Sequence, residues 1–212
     1  MNNYDRMEAQ ARELFLKWDQ DMIVRRSRLD ADGEYLYVNY LGLRHRIARA
    51  TGVAEACADT GWRPAGFNAS LAIFDYICRD NFRPGLSGRY CPVHALPHTG
   101  QTSPSAVDFH QRYADCFQAN LPLLEEALKP FACAPFQTGD VACVLRVFDD
   151  MPVIFQFWEG DEEFPPSVRF LWDENTLSYL FFETTYYIMG DFLQRVRQNI
   201  ENLSRQKDAS ML

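Results

Sequence analysis

The sequence has no apolar run of the length that a membrane span needs. Its 212 residues begin with the polar segment 1–6, which lacks the hydrophobic core of a secretory signal peptide. We therefore expect a cytoplasmic protein that does not enter a membrane.

Concentrated positive charge is absent as well. The net charge is −8, and the densest basic patch is the short segment 25–28. Proteins that bind phosphate backbones or anionic lipids usually gather lysine and arginine on one face. We therefore expect no nucleic-acid partner, which leaves an unidentified small molecule or another protein.

Cysteine pairs and the motifs of common enzymes are also missing. The six cysteines contain no C-x-x-C pair and lie mostly inside apolar runs, which predicts reduced, buried thiols. Phosphate-binding loops, H-E-x-x-H helices and G-x-S-x-G turns do not occur. No catalytic residue or cofactor can be assigned, and we favour a protein that is not an enzyme.

Hydrophobic periodicity predicts one α+β domain over residues 1–205, with an antiparallel sheet packed against helices and a disordered tail over 206–212. Segments with a helical period are 4–18, 21–26, 69–79, a stretch after Ser103, 120–128 and the end of the chain after Asp173, where the period is carried by residues from Ile188 to Leu203. Segments typical of strands are 34–41, 43–48, 131–136, 141–148, 152–158 and 168–172. The segments 51–66 and 82–102 show no period and are predicted to be loops.

Most of the informative chemistry lies in residues 158–166, which we call the acidic loop. Four carboxylates occupy positions 159, 161, 162 and 163 between two strand-like segments. A ligand or partner would contact Trp158, Asp161, Glu163 and Phe164. Arg44, on the predicted hairpin, is a further candidate that could bind an anionic ligand or pair with these acids. A solvated turn shaped by Asp161 is the structural alternative.

Two groups of residues are candidate metal ligands. The adjacent acids could hold a divalent cation, but they lack the alternate spacing of a calcium loop. Cys91, His94 and His98 form C-x-x-H-x-x-x-H, which could hold zinc with an open position. Pro92 and Pro97 prevent one helix from aligning these three side chains, so an ordinary polar loop is the alternative.

The pattern W-x-G-D-E-E-F-P-P at 158–166, followed by Leu171-Trp172-Asp173, resembles a bacterial and archaeal family known as domain of unknown function 3786. Further matching positions are Gly139-Asp140, segment 40–47, Leu180, Glu183 and Gly190. Some members carry a cysteine-rich iron–sulfur segment, which this chain lacks. The resemblance implies no known activity.

These observations favour a protein that binds a ligand or partner through the acidic loop. Two alternatives are a metal-dependent enzyme with a carboxylate or Cys/His site and a purely structural subunit.

Overall fold

The two sheets and six helices of the fold are seen in a computed structural model, which describes residues 3–79, 83–97 and 106–210. The helices are α1 (Asn3–Lys17), α2 (Gln20–Ser27), α3 (Phe67–Cys78), α4 (Ala106–Ala119), α5 (Leu121–Leu128) and α6 (Phe182–Ser210). The strands are β1 (Asp30–Ala31), β2 (Tyr35–Tyr40), β3 (Leu43–Ala48), β4 (Ala54–Ala58), β5 (Gly61–Pro64), β6 (Tyr90–Pro92), β7 (Ala134–Pro135), β8 (Val141–Phe148), β9 (Met151–Trp158) and β10 (Ser167–Asp173). The predicted α+β class, with antiparallel sheets and packed helices, is confirmed.

The first sheet joins its strands in chain order, from β1 to β5. The predicted hairpin of β2 and β3 is confirmed, and its turn places Leu41 and Gly42 at φ values of 48° and 72°. A side chain at Gly42 would come within 2.8 Å of the Pro130 carbonyl oxygen, so both the turn and the packing require glycine. The prediction of a loop over 51–66 is wrong, because β4 and β5 form a hairpin there.

The second sheet has the strand order β6-β10-β9-β8-β7. Its three long strands, β8, β9 and β10, lie where the sequence predicts them. The edge strand β6 falls inside the segment 82–102, which was predicted to be a loop, and pairs with the end of β10. The two sheets meet where the Leu41 backbone N–H donates to the Val147 carbonyl oxygen at 2.9 Å.

Helices α4 and α6 pack against the second sheet around a cluster of phenylalanines. Phe155 lies at its centre and is fully buried. Its ring centroid is 5.1 Å from that of Phe192, 5.5 Å from that of Phe170 and 6.3 Å from that of Phe117. The high aromatic content of the sequence is therefore used in the core.

Both faces of β9 are buried, because Ile154 on one face and Phe155 on the other are both covered. The side chain of Gln156 is only 5% exposed, and its Nε2 donates to the Thr138 carbonyl oxygen at 2.8 Å. Thr138 belongs to the segment before β8, and this hydrogen bond satisfies the buried side-chain amide of Gln156.

Several element ends differ from the prediction. Helix α3 has Gly66 as its N-cap and begins at Phe67, two residues earlier than the predicted segment 69–79. Helix α6 continues to Ser210, whereas a disordered tail was predicted from Gln206. Lys207 in the last turn suits the negative end of the helix dipole. Residues 211 and 212 lie outside the described part.

The six cysteines are free thiols, but the prediction that most are buried is wrong. Only Cys78 and Cys143 are buried, and the other four are partly exposed. Short strands and helix ends hold several of them near the surface. Among the described residues, no helix combines the length and the apolar character that crossing a membrane requires.

Candidate functional site

The acidic loop is a tight turn that Gly160 and Asp161 organise. One carboxylate oxygen of Asp161 accepts from the backbone N–H groups of Glu163 and Phe164, both at 2.8 Å. The Asp161 N–H donates in turn to the Phe164 carbonyl oxygen at 2.9 Å. A Cβ at Gly160 would lie 2.6 Å from the ring of Pro166, so only glycine permits this closure. Asp161 therefore has the turn-shaping geometry that the structural alternative predicted.

Two side chains outside the loop hold its first residues in place. An oxygen of Asp140 accepts from the Glu159 N–H at 2.7 Å, and the Gln118 side-chain oxygen accepts from the Gly160 N–H at 2.8 Å. Asp140 follows Gly139, whose φ of 122° favours glycine. The Gly-Asp pairs at 139–140 and 160–161 thus fix the backbone conformation of the acidic loop.

The remaining side chains of the acidic loop face outward. Glu159, Asp161, Glu162 and Glu163 are all exposed, and Phe164 is 67% exposed. The backbone N–H groups of Phe164 and Glu163 donate to the Asp161 carboxylate and thereby lower its pKa. Trp158 is partly buried at the end of β9. The acids therefore do not line a closed cavity.

Arg44 contacts a different part of the molecule. Its guanidinium lies 3.3 Å from an Asp30 carboxylate oxygen and 4.7 Å from the centroid of the Tyr37 ring. The structure therefore places Arg44 on the first sheet, in an ion pair with Asp30 instead of an acid of the loop.

The Cys/His motif is only partly within the described residues. Cys91 lies in β6 opposite Trp172, and His94 lies in the following 3-10 helix (Val93–Ala95). His94 lines a cleft of about 470 Å³ together with His110. His98 lies outside the described part, within which no group of three or more histidine, cysteine or acidic side chains is placed to hold a metal.

A cleft of about 490 Å³ between α1, α3 and the start of α6 is the feature that sequence reasoning missed. Its lining is mainly apolar, and Asp75 and Arg79 lie at its polar end. The cleft is lined by Met7, Ala11, Leu14, Leu71, Phe74, Asp75, Cys78, Arg79, Phe181, Glu183, Thr184 and Tyr187. An apolar cleft with few polar groups is typical of small-molecule sites.

Asp75 supplies an acceptor in this cleft. Its side chain is 7% exposed, and its Oδ2 accepts from the Phe181 N–H at 2.7 Å and the Thr184 hydroxyl at 2.6 Å. No donor among the described residues hydrogen-bonds to Oδ1, and the Arg79 Nη1 is 3.8 Å from it. Burial raises the pKa of Asp75, while these hydrogen bonds and the positive charge of Arg79 oppose the rise.

Arg79 and Phe181 form the rim beside this carboxylate. The guanidinium of Arg79 stacks 4.0 Å from the centroid of the Phe181 ring and donates to the Leu177 carbonyl oxygen at 3.0 Å. Phe181 nevertheless remains 58% exposed. An exposed aromatic ring beside an apolar cleft leaves surface that a ligand can cover.

The fold and these surfaces define an α+β protein with two antiparallel sheets, an aromatic core and an open apolar cleft. The family model described as "Domain of unknown function (DUF3786)" matches residues 19–195, and the chain belongs to this family, as the resemblance implied. No curated protein and no solved structure matches the chain.

Proposed function

We propose that this protein binds a small molecule in the cleft between α1, α3 and α6. The observation that carries the proposal is the Oδ1 atom of Asp75, a buried acceptor at the end of an apolar cleft that receives no hydrogen bond from the residues the structure describes. A buried polar atom of this kind is costly unless a partner satisfies it.

The chemistry of the cleft selects the class of ligand. The Arg79 guanidinium balances the charge of the Asp75 carboxylate, and the second acid of the lining, Glu183, is exposed to water. The rest of the lining would cover an apolar body. The proposed ligand is therefore a neutral, mostly apolar molecule with one N–H or O–H group that donates a hydrogen bond to Oδ1 of Asp75.

N-phenyl-1-naphthylamine is a suitable probe, because it has two apolar ring systems and a single N–H donor, and its fluorescence rises in apolar surroundings. We expect saturable binding to the full chain. Asp75→Asn should weaken it about tenfold. The asparagine oxygen can still accept from Phe181 and Thr184, while its NH₂ group replaces the acceptor that faces the cleft.

Leu14→Glu and Leu16→Glu form a matched pair for this test. Both leucines are exposed on α1, but only Leu14 lines the cleft. Fluorescence titration should show weaker binding for Leu14→Glu and unchanged binding for Leu16→Glu. Equal effects of the two changes, or full binding by Asp75→Asn, would contradict the proposal.

A second candidate function is attachment of a protein partner at the acidic loop. It is supported by the exposed ring of Phe164 and by the exposed carboxylate of Glu163, for which no hydrogen bond within the described fold is found. Trp158 would lie at the edge of such a contact, and Asp161 would hold the loop in shape.

Three single alanine variants separate the structural role of the loop from a binding role. Asp161→Ala should lower the denaturant midpoint, because the Glu163 and Phe164 N–H groups lose their acceptor. The effect should be smaller than for a buried carboxylate, since water reaches this loop. Glu162→Ala and Glu163→Ala should leave the midpoint unchanged.

Binding at the acidic loop is tested with a lysine-rich peptide that carries one tryptophan. Glu163→Ala should weaken binding of this peptide without changing the unfolding curve. Three indistinguishable unfolding curves and equal peptide binding would show that the acidic loop is only a solvated turn.

A further inference from the structure

Two thiols meet beside the edge strand of the second sheet. Cys133 directly precedes β7, and Cys143 lies in β8, where it is the register partner of Pro135. Cys133 lies two positions before Pro135, so in an extended chain its side chain is expected on the same side as those of Pro135 and Cys143. The two thiols interact with each other.

Both thiols line a second open cleft, of about 510 Å³, together with Lys129 and Asp140. Cys133 is partly exposed, whereas Cys143 is 5% exposed. A molecule that enters the cleft therefore reaches Cys133 before Cys143. The cleft is separate from the one that Asp75 lines.

The backbone before Cys133 has an uncommon conformation. Ala132 follows the 3-10 helix Lys129–Phe131 and adopts a left-handed φ of 51°. A residue other than glycine seldom adopts this conformation, and such positions concentrate at functional sites. Here the turn leads directly into Cys133, which lines the cleft.

The two thiols differ in acidity. Interaction with Cys143 lowers the pKa of Cys133, whereas interaction with Cys133 and burial raise that of Cys143. Burial also raises the pKa of Cys78 to about 12 and raises the pKa values of Cys91 and Cys116. Since the thiolate is the nucleophile, Cys133 is better suited to attack than these cysteines.

We propose that Cys133 and Cys143 form a redox-active pair that exchanges with low-molecular-weight disulfides, with Cys133 as nucleophile and Cys143 as resolving thiol. In the first step, the Cys133 thiol releases its proton to water and the thiolate attacks a disulfide RSSR. The S–S bond of RSSR breaks, and one RS⁻ leaves and takes up that proton as RSH. A mixed disulfide between Cys133 and R remains.

In the second step, Cys143 loses its proton to the departing thiolate and attacks the Cys133 sulfur. The mixed disulfide breaks, a second RSH leaves and a Cys133–Cys143 disulfide forms. Overall, the protein dithiol is oxidised and RSSR is reduced to two RSH. Because β7 is only two residues long, the chain at Cys133 can adjust to the approach that a disulfide requires.

The test uses the full chain with Cys57, Cys91 and Cys116 changed to alanine, which removes the other partly exposed thiols. Bis(2-hydroxyethyl) disulfide is added to the reduced protein, and intact mass is followed over time. We expect a mass loss of two hydrogens with little accumulated adduct. Peptide mapping should place the new disulfide between residues 133 and 143.

Two additional changes in this background assign the roles. Cys143→Ala should accumulate the mixed disulfide on Cys133, and Cys133→Ala should form neither adduct nor cross-link. Circular dichroism checks that both variants are folded, and peptide mapping of the unmutated protein gives the same answer without them. Persistent adduct when both thiols are present, a cross-link elsewhere, or undiminished reaction of Cys133→Ala would overturn the proposal.

Discussion

Phe155→Ala should lower the free energy of unfolding by about 3–5 kcal/mol. The ring is fully buried and contacts the rings of Phe117, Phe170 and Phe192, which belong to α4, β10 and α6. Its removal leaves a cavity where the second sheet meets two helices, and the surrounding side chains can fill it only in part. Denaturant melts monitored by circular dichroism measure the loss.

Gln156→Ala is the neighbouring control for this change. Gln156 is also buried, but alanine removes only one hydrogen bond, to the Thr138 carbonyl oxygen. We expect a loss of about 1 kcal/mol. Equal losses at the two positions would show that the phenylalanine cluster is not the main core of the sheet.

Asp173→Ala should cost about 2–4 kcal/mol of unfolding free energy. Asp173 is 1% exposed, and its two oxygens accept from the Ser87, Gly88 and Asn175 N–H groups and the Ser87 hydroxyl, at 2.8–3.1 Å. Alanine leaves these donors without an acceptor and releases segment 85–90 from the end of β10.

Glu174→Ala tests whether burial of the carboxylate causes this loss. Glu174 is adjacent but pairs with Arg89, whose side chain is largely exposed, and such pairs contribute little. We expect a change below about 0.5 kcal/mol. Similar unfolding curves for the two variants would mean that Asp173 does not anchor the segment.

The sequence predicts the long elements of this fold because each repeats its apolar residues clearly. Strands β8, β9 and β10 alternate or are continuously apolar, and short connections make them antiparallel. Strand β4 was missed because its buried residues are Ala54 and Ala56, which give a weak hydrophobic signal, and β5 was missed because it has no buried residue. Strand β6 was missed because three residues, one of them proline, are too few to show a period.

The site was harder to predict because its parts are distant in sequence. The acidic loop stands out as a motif, and the chemistry of Asp161 as a turn former follows from its position after Gly160. The cleft, by contrast, combines α1, α3 and α6, and Asp75 resembles any polar residue on an amphipathic helix. Only the packing of Phe181 and Thr184 against α3 shows that this carboxylate is buried.

The central claim is that the cleft between α1, α3 and α6 binds a small apolar molecule with one donor. The most direct measurement is an NMR titration of ¹³C-labelled methyl groups with N-phenyl-1-naphthylamine. We predict that the methyl signals of Leu14, Leu71 and Thr184 shift together and saturate, while those of Leu145 in β8 stay in place. Shifts confined to other parts of the protein, with the cleft signals unchanged, would contradict the account.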